Sequence, residues 1–270
     1  MRNRTILLLS LPLAALIIIV SCVGWLTPEF YSKETLNWQA QSVWQDMIDL
    51  FLVLPCLLIT SVLAYRNNKA ATYIWGGVVL YLTYTFVLYC FDVHFNKLFV
   101  VYCLCLGLSF YSLMYFLFTK PAGTGNGNFE NKSLMRIIGI YFIAVSVIFY
   151  FLWLAEIIPS IINNAQPKSL IETGLFTNGV HVIDLAVFLP AVFITGIFLL
   201  KRKLFGFILT PIMLTFFILM DITIGMLAAG IKMKGVESNL MLTAIMSIFT
   251  LISLALLIWY LRSITSISER

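Results

Sequence analysis

Two aspartates, Asp49 and Asp184, stand inside apolar runs, each followed six residues later by a proline and five after that by a threonine. The segments read IDLFLVLPCLLIT at 48–60 and IDLAVFLPAVFIT at 183–195, identical at seven of thirteen positions and 135 residues apart, half of a 270-residue chain. A carboxylate in an apolar run is costly and usually faces a bundle interior or water. Proline removes its own N–H and clashes with the carbonyl four residues back. Phe51 and Ala186 are therefore expected to carry freed carbonyls, with each proline roughly 9 Å deeper than its aspartate along a helix. A carboxylate above bared carbonyls suits a cation or a proton. The plainer alternative is that each aspartate caps a helix N-terminus. That reading is natural for Asp46, whereas Thr177 and Asn178 offer earlier caps ahead of Asp184.

More polar residues gather at the same level. Asp46 precedes Asp49 by three positions and His181 precedes Asp184 by three, so each pair shares a helical face. Glu156 falls near the end of another apolar run, Asp92 and His94 just beyond a third, and Asp221 well inside a seventh. Carboxylates with a histidine could bind a divalent metal or relay protons. The blander roles are an interfacial hydrogen-bonding His181 and an Asp221 bonded to a neighbouring Ser, Thr or backbone group. The candidate binding residues are thus Asp46, Asp49, Glu156, His181, Asp184 and Asp221. No catalytic residue, cofactor or metal can be assigned. The chain has two histidines, too few for a His-rich membrane hydrolase or haem carrier, and no Ser or Cys nucleophile lies near either in sequence. The five cysteines fall within or beside apolar runs and read as packing residues.

The elements that must position these groups follow from composition. The chain is 61% hydrophobic and 11% charged, against about 25% charged for a soluble domain. Eight apolar runs, each near the roughly 20 residues of a membrane helix, cover Ile6–Trp25, Met47–Tyr65, Tyr73–Phe91, Leu98–Phe118, Ile137–Ile158, Val182–Leu200, Phe205–Ala229 and Leu240–Leu261. The expected fold is an all-α membrane protein with lipid as its surroundings. No basic cluster suggests nucleic acid. With a cytoplasmic N-terminus, the inner segments carry twelve of the seventeen basic residues, leaving Lys33, Lys97, Lys168, Lys232 and Lys234 outside. The positive-inside rule then puts both termini in the cytoplasm. Trp25, Trp44, Trp75, Trp153 and Trp259 lie near span ends, as interfacial anchors do. Ile19-Val20-Ser21-Cys22 also fits a lipoprotein cleavage box. A retained first helix is preferred, because the repeat needs a first span to match the fifth.

The 135-residue offset maps the second and third spans onto the sixth and seventh, with Arg66 falling on Lys201. Two parallel four-helix repeats are expected, at 1–121 and 135–270, related by an axis along the membrane normal. Residues 122–134 form a cytoplasmic linker, whose glycines are not followed by the Gly-Lys-Ser/Thr of a P-loop. The stretch Thr177-Asn178-Gly179-Val180-His181-Val182-Ile183-Asp184-Leu185, ending in Leu189-Pro190, resembles a signature of an uncharacterised bacterial integral-membrane family. Gln45-Asp46, Asp49, Leu54-Pro55 and Asn96-Lys97-Leu98-Phe99 resemble it as well, and Gly179 stands where that pattern has Pro. The resemblance implies a multi-pass protein of a bacterial inner membrane and no particular activity. The functional expectation is an outward-facing acidic cavity for a small solute, proton or cation. The alternatives are a membrane enzyme using the outer acids and His181, or a structural subunit of a membrane complex. The orientation is checked by labelling single cysteines in the 160–176 loop of intact cells. A membrane-impermeant reagent should reach them, and protection would reverse the topology.

Overall fold

The computed structural model describes residues 4–27, 29–119, 131–236 and 240–268, and their regular structure is entirely helical. The elements are α1 (Arg4–Leu26), α2 (Leu36–Tyr65), α3 (Lys69–Phe91), α4 (Phe99–Thr119), α5 (Lys132–Ile162), α6 (Lys168–Thr173), α7 (Gly179–Leu200), α8 (Leu204–Met233) and α9 (Leu240–Ser268). All except α6 are long and apolar enough to cross a bilayer, which makes this a multi-pass membrane protein of eight spans. The expected linker at 122–134 lies largely outside the described residues. Helix resumes at Lys132, where the Asn131 side chain accepts the Leu134 N–H at 3.0 Å.

α2 begins eleven residues before the apolar run at Met47. Thr35 caps it, accepting the Trp38 N–H at 3.2 Å. The polar stretch from Asn37 to Gln45 marks an internal cavity wall and not a loop. α1 belongs to the core: Ile6, Leu13, Ile17 and Val20 are buried, and Ser10 accepts the Trp75 indole N–H at 2.8 Å. Trp75 is fully enclosed there, so it packs the core instead of anchoring an interface.

The two prolines do more than kink their helices. Asp49–Val53 and Asp184–Phe188 are each one π turn, closed by the Leu54 N–H on the Asp49 carbonyl and the Leu189 N–H on the Asp184 carbonyl. A regular α turn would drive the proline ring into the carbonyl four residues back, and widening the turn by one residue relieves that clash. In α7 the Leu185 carbonyl, five residues before Pro190, is served from another helix: the Tyr150 hydroxyl donates to it at 2.5 Å. Below each turn, Thr60 and Thr195 donate to the carbonyls of Cys56 and Ala191 at 2.6 and 2.7 Å. The hydroxyls are thus satisfied within their own helices. Asn67 (φ 66°) and Arg202 (φ 53°) then take left-handed backbone. The following N–H groups, of Asn68 and Lys203, reach back to Leu63 and Phe198 at 3.1 and 2.8 Å. This is the Schellman closure of a helix C-terminus.

α3 and α8 are the most enclosed spans and pack against each other at the centre. On one side α1 packs on α2 and α4, α2 on α3 and α3 on α4. On the other, α5 packs on α7, α7 on α8 and α8 on α9, with Tyr141 of α5 bonded to Ser253 of α9 at 2.8 Å. The centre is close-packed at Gly77, where a Cβ would stand 2.4 Å from Thr215 Cβ and 2.8 Å from the Ile212 carbonyl oxygen. Gly77→Val should therefore part α3 from α8 at a cost of about 1–3 kcal/mol, lowering the melting temperature of the solubilised protein. Gly107→Ala, whose Cβ meets nothing within 4 Å, should leave it unchanged; equal effects would deny the close approach.

Candidate functional site

α2 and α3 face α5, α7, α8 and α9 across a cavity of about 840 Å³. Its rim carries Lys168, Ser169 and Glu172 of α6 and Lys232 at the end of α8. Its interior is aromatic, with Tyr84, Tyr141, Trp153, Phe188, Phe216 and Phe217. Two of the expected carboxylates face this space, Asp184 and Asp221. Asp221 lies eleven residues from Lys232 on α8, roughly 16 Å at 1.5 Å per residue.

The two acids differ in their surroundings. Asp184 is 8% exposed and receives one donor on each oxygen: Tyr84 Oη on Oδ1 at 3.1 Å and Trp153 Nε1 on Oδ2 at 2.9 Å. Asp221 is 6% exposed, and its Oδ2 has no hydrogen-bond partner. Ion pairs among the described residues join His94 to Glu34, Lys168 to Glu172 and His181 to Glu156, so neither cavity acid has a cation. Buried charge without a partner is expensive. Asp221 is therefore the position at which a ligand would gain most.

Asp49 lies one side chain behind the wall. Gln45, which lines the cavity, donates through Nε2 to Asp49 Oδ1 at 3.0 Å and to Tyr81 Oη at 2.9 Å. Tyr81 in turn shares a 2.7 Å bond with Thr223, also on the wall. Asp49 Oδ2 is left without a partner. Asp46 is away from the cavity, held by Tyr31 and Tyr89 hydroxyls at 2.7 Å each. Burial first, then the Asp46 charge, pushes the Tyr31 phenol well above its ordinary range, so it stays a donor. Gly24 leaves the room: a Cβ there would lie 1.8 Å from Asp46 Oδ2. Glu156 and His181 do not line the cavity. Glu156 accepts the Ser169 N–H at 2.8 Å and stands 3.9 Å from His181 Nε2, while His181 stacks on Trp153 with ring centres 4.5 Å apart. The pair ties α5 and α7 to α6.

Helix capping falls to Asn178, whose side chain accepts the His181 N–H at 3.3 Å, rather than to Asp184. Sequence reasoning misses Gln45, Tyr81, Tyr84 and Trp153 as site residues. The available signal is a hydroxyl or indole N–H inside an apolar helix, which must find an acceptor when buried. Among the described residues no three His, Cys, Asp or Glu side chains converge as a metal site. No family model, curated protein or solved structure matches the chain.

At the α6 end of the bundle Asp92 joins α3 to α7. Its carboxylate accepts the Gly179 N–H at 3.0 Å, and its carbonyl accepts the Trp38 indole N–H at 2.8 Å. Burial pushes the Asp92 carboxyl up from 3.8 to about 6, partly offset by the Gly179 N–H. The folded state thus binds this proton more tightly than the unfolded chain. Its contribution favours folding at low pH and is lost as pH rises from about 4 to 6. Asp92→Asn keeps an acceptor for Gly179 and removes the titration. Melting temperature followed from pH 4 to 7 should fall less steeply with rising pH in the variant; identical slopes would remove Asp92 from the pH response.

Proposed function

We propose that this is a solute-binding carrier of a bacterial inner membrane. Two parallel four-helix repeats, 1–121 and 135–270, hold between them a cavity open to the outside. The observation that carries the reading is the cavity itself, walled by helices from both halves and lined by Asp221, a carboxylate whose buried Oδ2 has no hydrogen-bond partner. Carriers built from parallel repeats bind at the repeat interface near the bilayer midplane, beside interrupted helices.

Several local matches at 135 residues support the repeat. The π turns, the back-bonded threonines, the left-handed residues and the Schellman bonds all recur at that offset. Gly77 approaches the carbonyl of Ile212, and the Tyr81 ring lies 6.2 Å from that of Phe216. Both pairs are separated by 135 positions. A residue that touches its own counterpart lies on the axis relating them, and two such pairs one helical turn apart set that axis along α3 and α8. The basic residues supply the direction: Arg66, Lys69, Lys201, Arg202 and Lys203 cluster at the end opposite α6. The cavity rim therefore faces outward.

The test uses Leu88→Cys on α3 and Ile224→Cys on α8, both in the cavity wall, in a background with the five native cysteines replaced. A membrane-impermeant methanethiosulfonate added to intact cells should modify both. Ile252→Cys on the outer surface of α9, 41% exposed, should stay unmodified in lipid. Modification of the wall positions only after permeabilisation would reverse the orientation. Failure in both conditions would remove the aqueous cavity.

A further inference from the structure

We propose that the solute is an organic cation, an ammonium group carried on an apolar or aromatic body, with Asp221 as its counter-ion. The inference rests on the reading of the cavity as a solute site and names the chemistry that this site selects.

Asp221 supplies the anion. It is more than nine-tenths buried, faces the cavity, and has a carboxylate oxygen with no donor and no cation. An anionic solute, or an uncharged one without an N–H or O–H, would leave that oxygen without a partner, and a neutral donor would satisfy the hydrogen bond but leave the charge unpaired, which is costly. Asp184 adds negative potential, but its oxygens already hold Tyr84 and Trp153. The basic residues of the lining, Lys168 and Lys232, stand at the rim, and Lys168 is 3.4 Å from Glu172. The deep part of the cavity thus carries acids without bases.

The walls decide between an organic and an inorganic cation. Phe217 precedes Asp221 by four residues, so ring and carboxylate share one face of α8. Phe217 packs edge-on to Tyr141 at 6.2 Å and to Phe188 at 6.0 Å. Phe216 contacts Phe188 at 4.0 Å and Tyr84 at 5.5 Å. Aromatic faces attract a weakly hydrated ammonium through the negative face of the ring quadrupole. They cannot replace the six or more oxygens around Mg²⁺ or Ca²⁺, and no cluster of three ligating side chains is present among the described residues. The volume of about 840 Å³ falls within the ~300–1,000 Å³ of small-molecule sites. It far exceeds the needs of a bare ion.

The test is protection of Ile224→Cys, in protein reconstituted in lipid nanodiscs, from the same methanethiosulfonate. Phenethylammonium and tetrapropylammonium should slow modification in a saturable way. Sodium or potassium chloride at equal ionic strength and the neutral 2-phenylethanol should not. Asp221→Asn should weaken ammonium protection at least tenfold. Phe217→Leu, which keeps the carboxylate, should weaken it several-fold, and thermal unfolding of each variant establishes that it is folded. Equal protection by 2-phenylethanol, or unchanged ammonium protection in both variants, would overturn the assignment. If Ile224→Cys is modified freely but no ammonium protects it, the organic-cation inference fails while the cavity stands. If it is never modified, the solute site itself fails.

Discussion

A membrane helix that contains proline loses a backbone donor where no water can serve the abandoned acceptor. The geometry of this bundle follows from how Pro55 and Pro190 resolve that loss. Each is preceded by a five-residue π turn that begins at an aspartate. Inserting one residue rotates the helix above the turn by roughly 100° relative to the helix below it. The apolar segment beneath can then keep its packing, while the polar segment above turns toward the protein. The Leu185 carbonyl, which Pro190 cannot serve, takes the Tyr150 hydroxyl of α5. That bond fixes α7 against α5 one residue after Asp184, which lines the cavity.

On the two-repeat reading, the same device has been put to different uses in the two halves. Asp49 and Asp184 start equivalent turns, yet Asp49 is bonded by Gln45 and shut off from the cavity, whereas Asp184 faces it under Tyr84 and Trp153. Asp46 and His181 also stand at equivalent positions. One is locked by Tyr31 and Tyr89, the other pairs with Glu156. On that reading a duplicated scaffold carries one-sided chemistry. Asp221 has Phe86 at the matching place, so the deep carboxylate belongs to the second half alone.

The spans were legible because lipid demands long apolar runs, and an interruption of α2 and α7 was foreshadowed by proline inside each run, though not its form as a π turn. The start of α2 was not, because a helix wall facing a polar cavity has the composition of a loop. The Tyr150 bond to the Leu185 carbonyl was not legible, since i−4 reasoning presumes an α turn and the chain adopts a π turn. Asp221 was visible as an intramembrane acid. Its isolation was not, because the absence of a partner depends on which helices meet. Tyr84 and Trp153 were hidden for the same reason: their role depends on reaching Asp184 across 100 and 31 residues of sequence.

The most direct test of the central claim is a cryo-electron microscopy structure of the protein in lipid nanodiscs, at a resolution that shows ordered water. The expected result is a hydrated cavity continuous with bulk solvent at the α6 end and ending at Asp221, with the π turns at Asp49 and Asp184 intact. Acyl-chain density filling the space between α3 and α8, with Asp221 bonded to a protein donor, would contradict it.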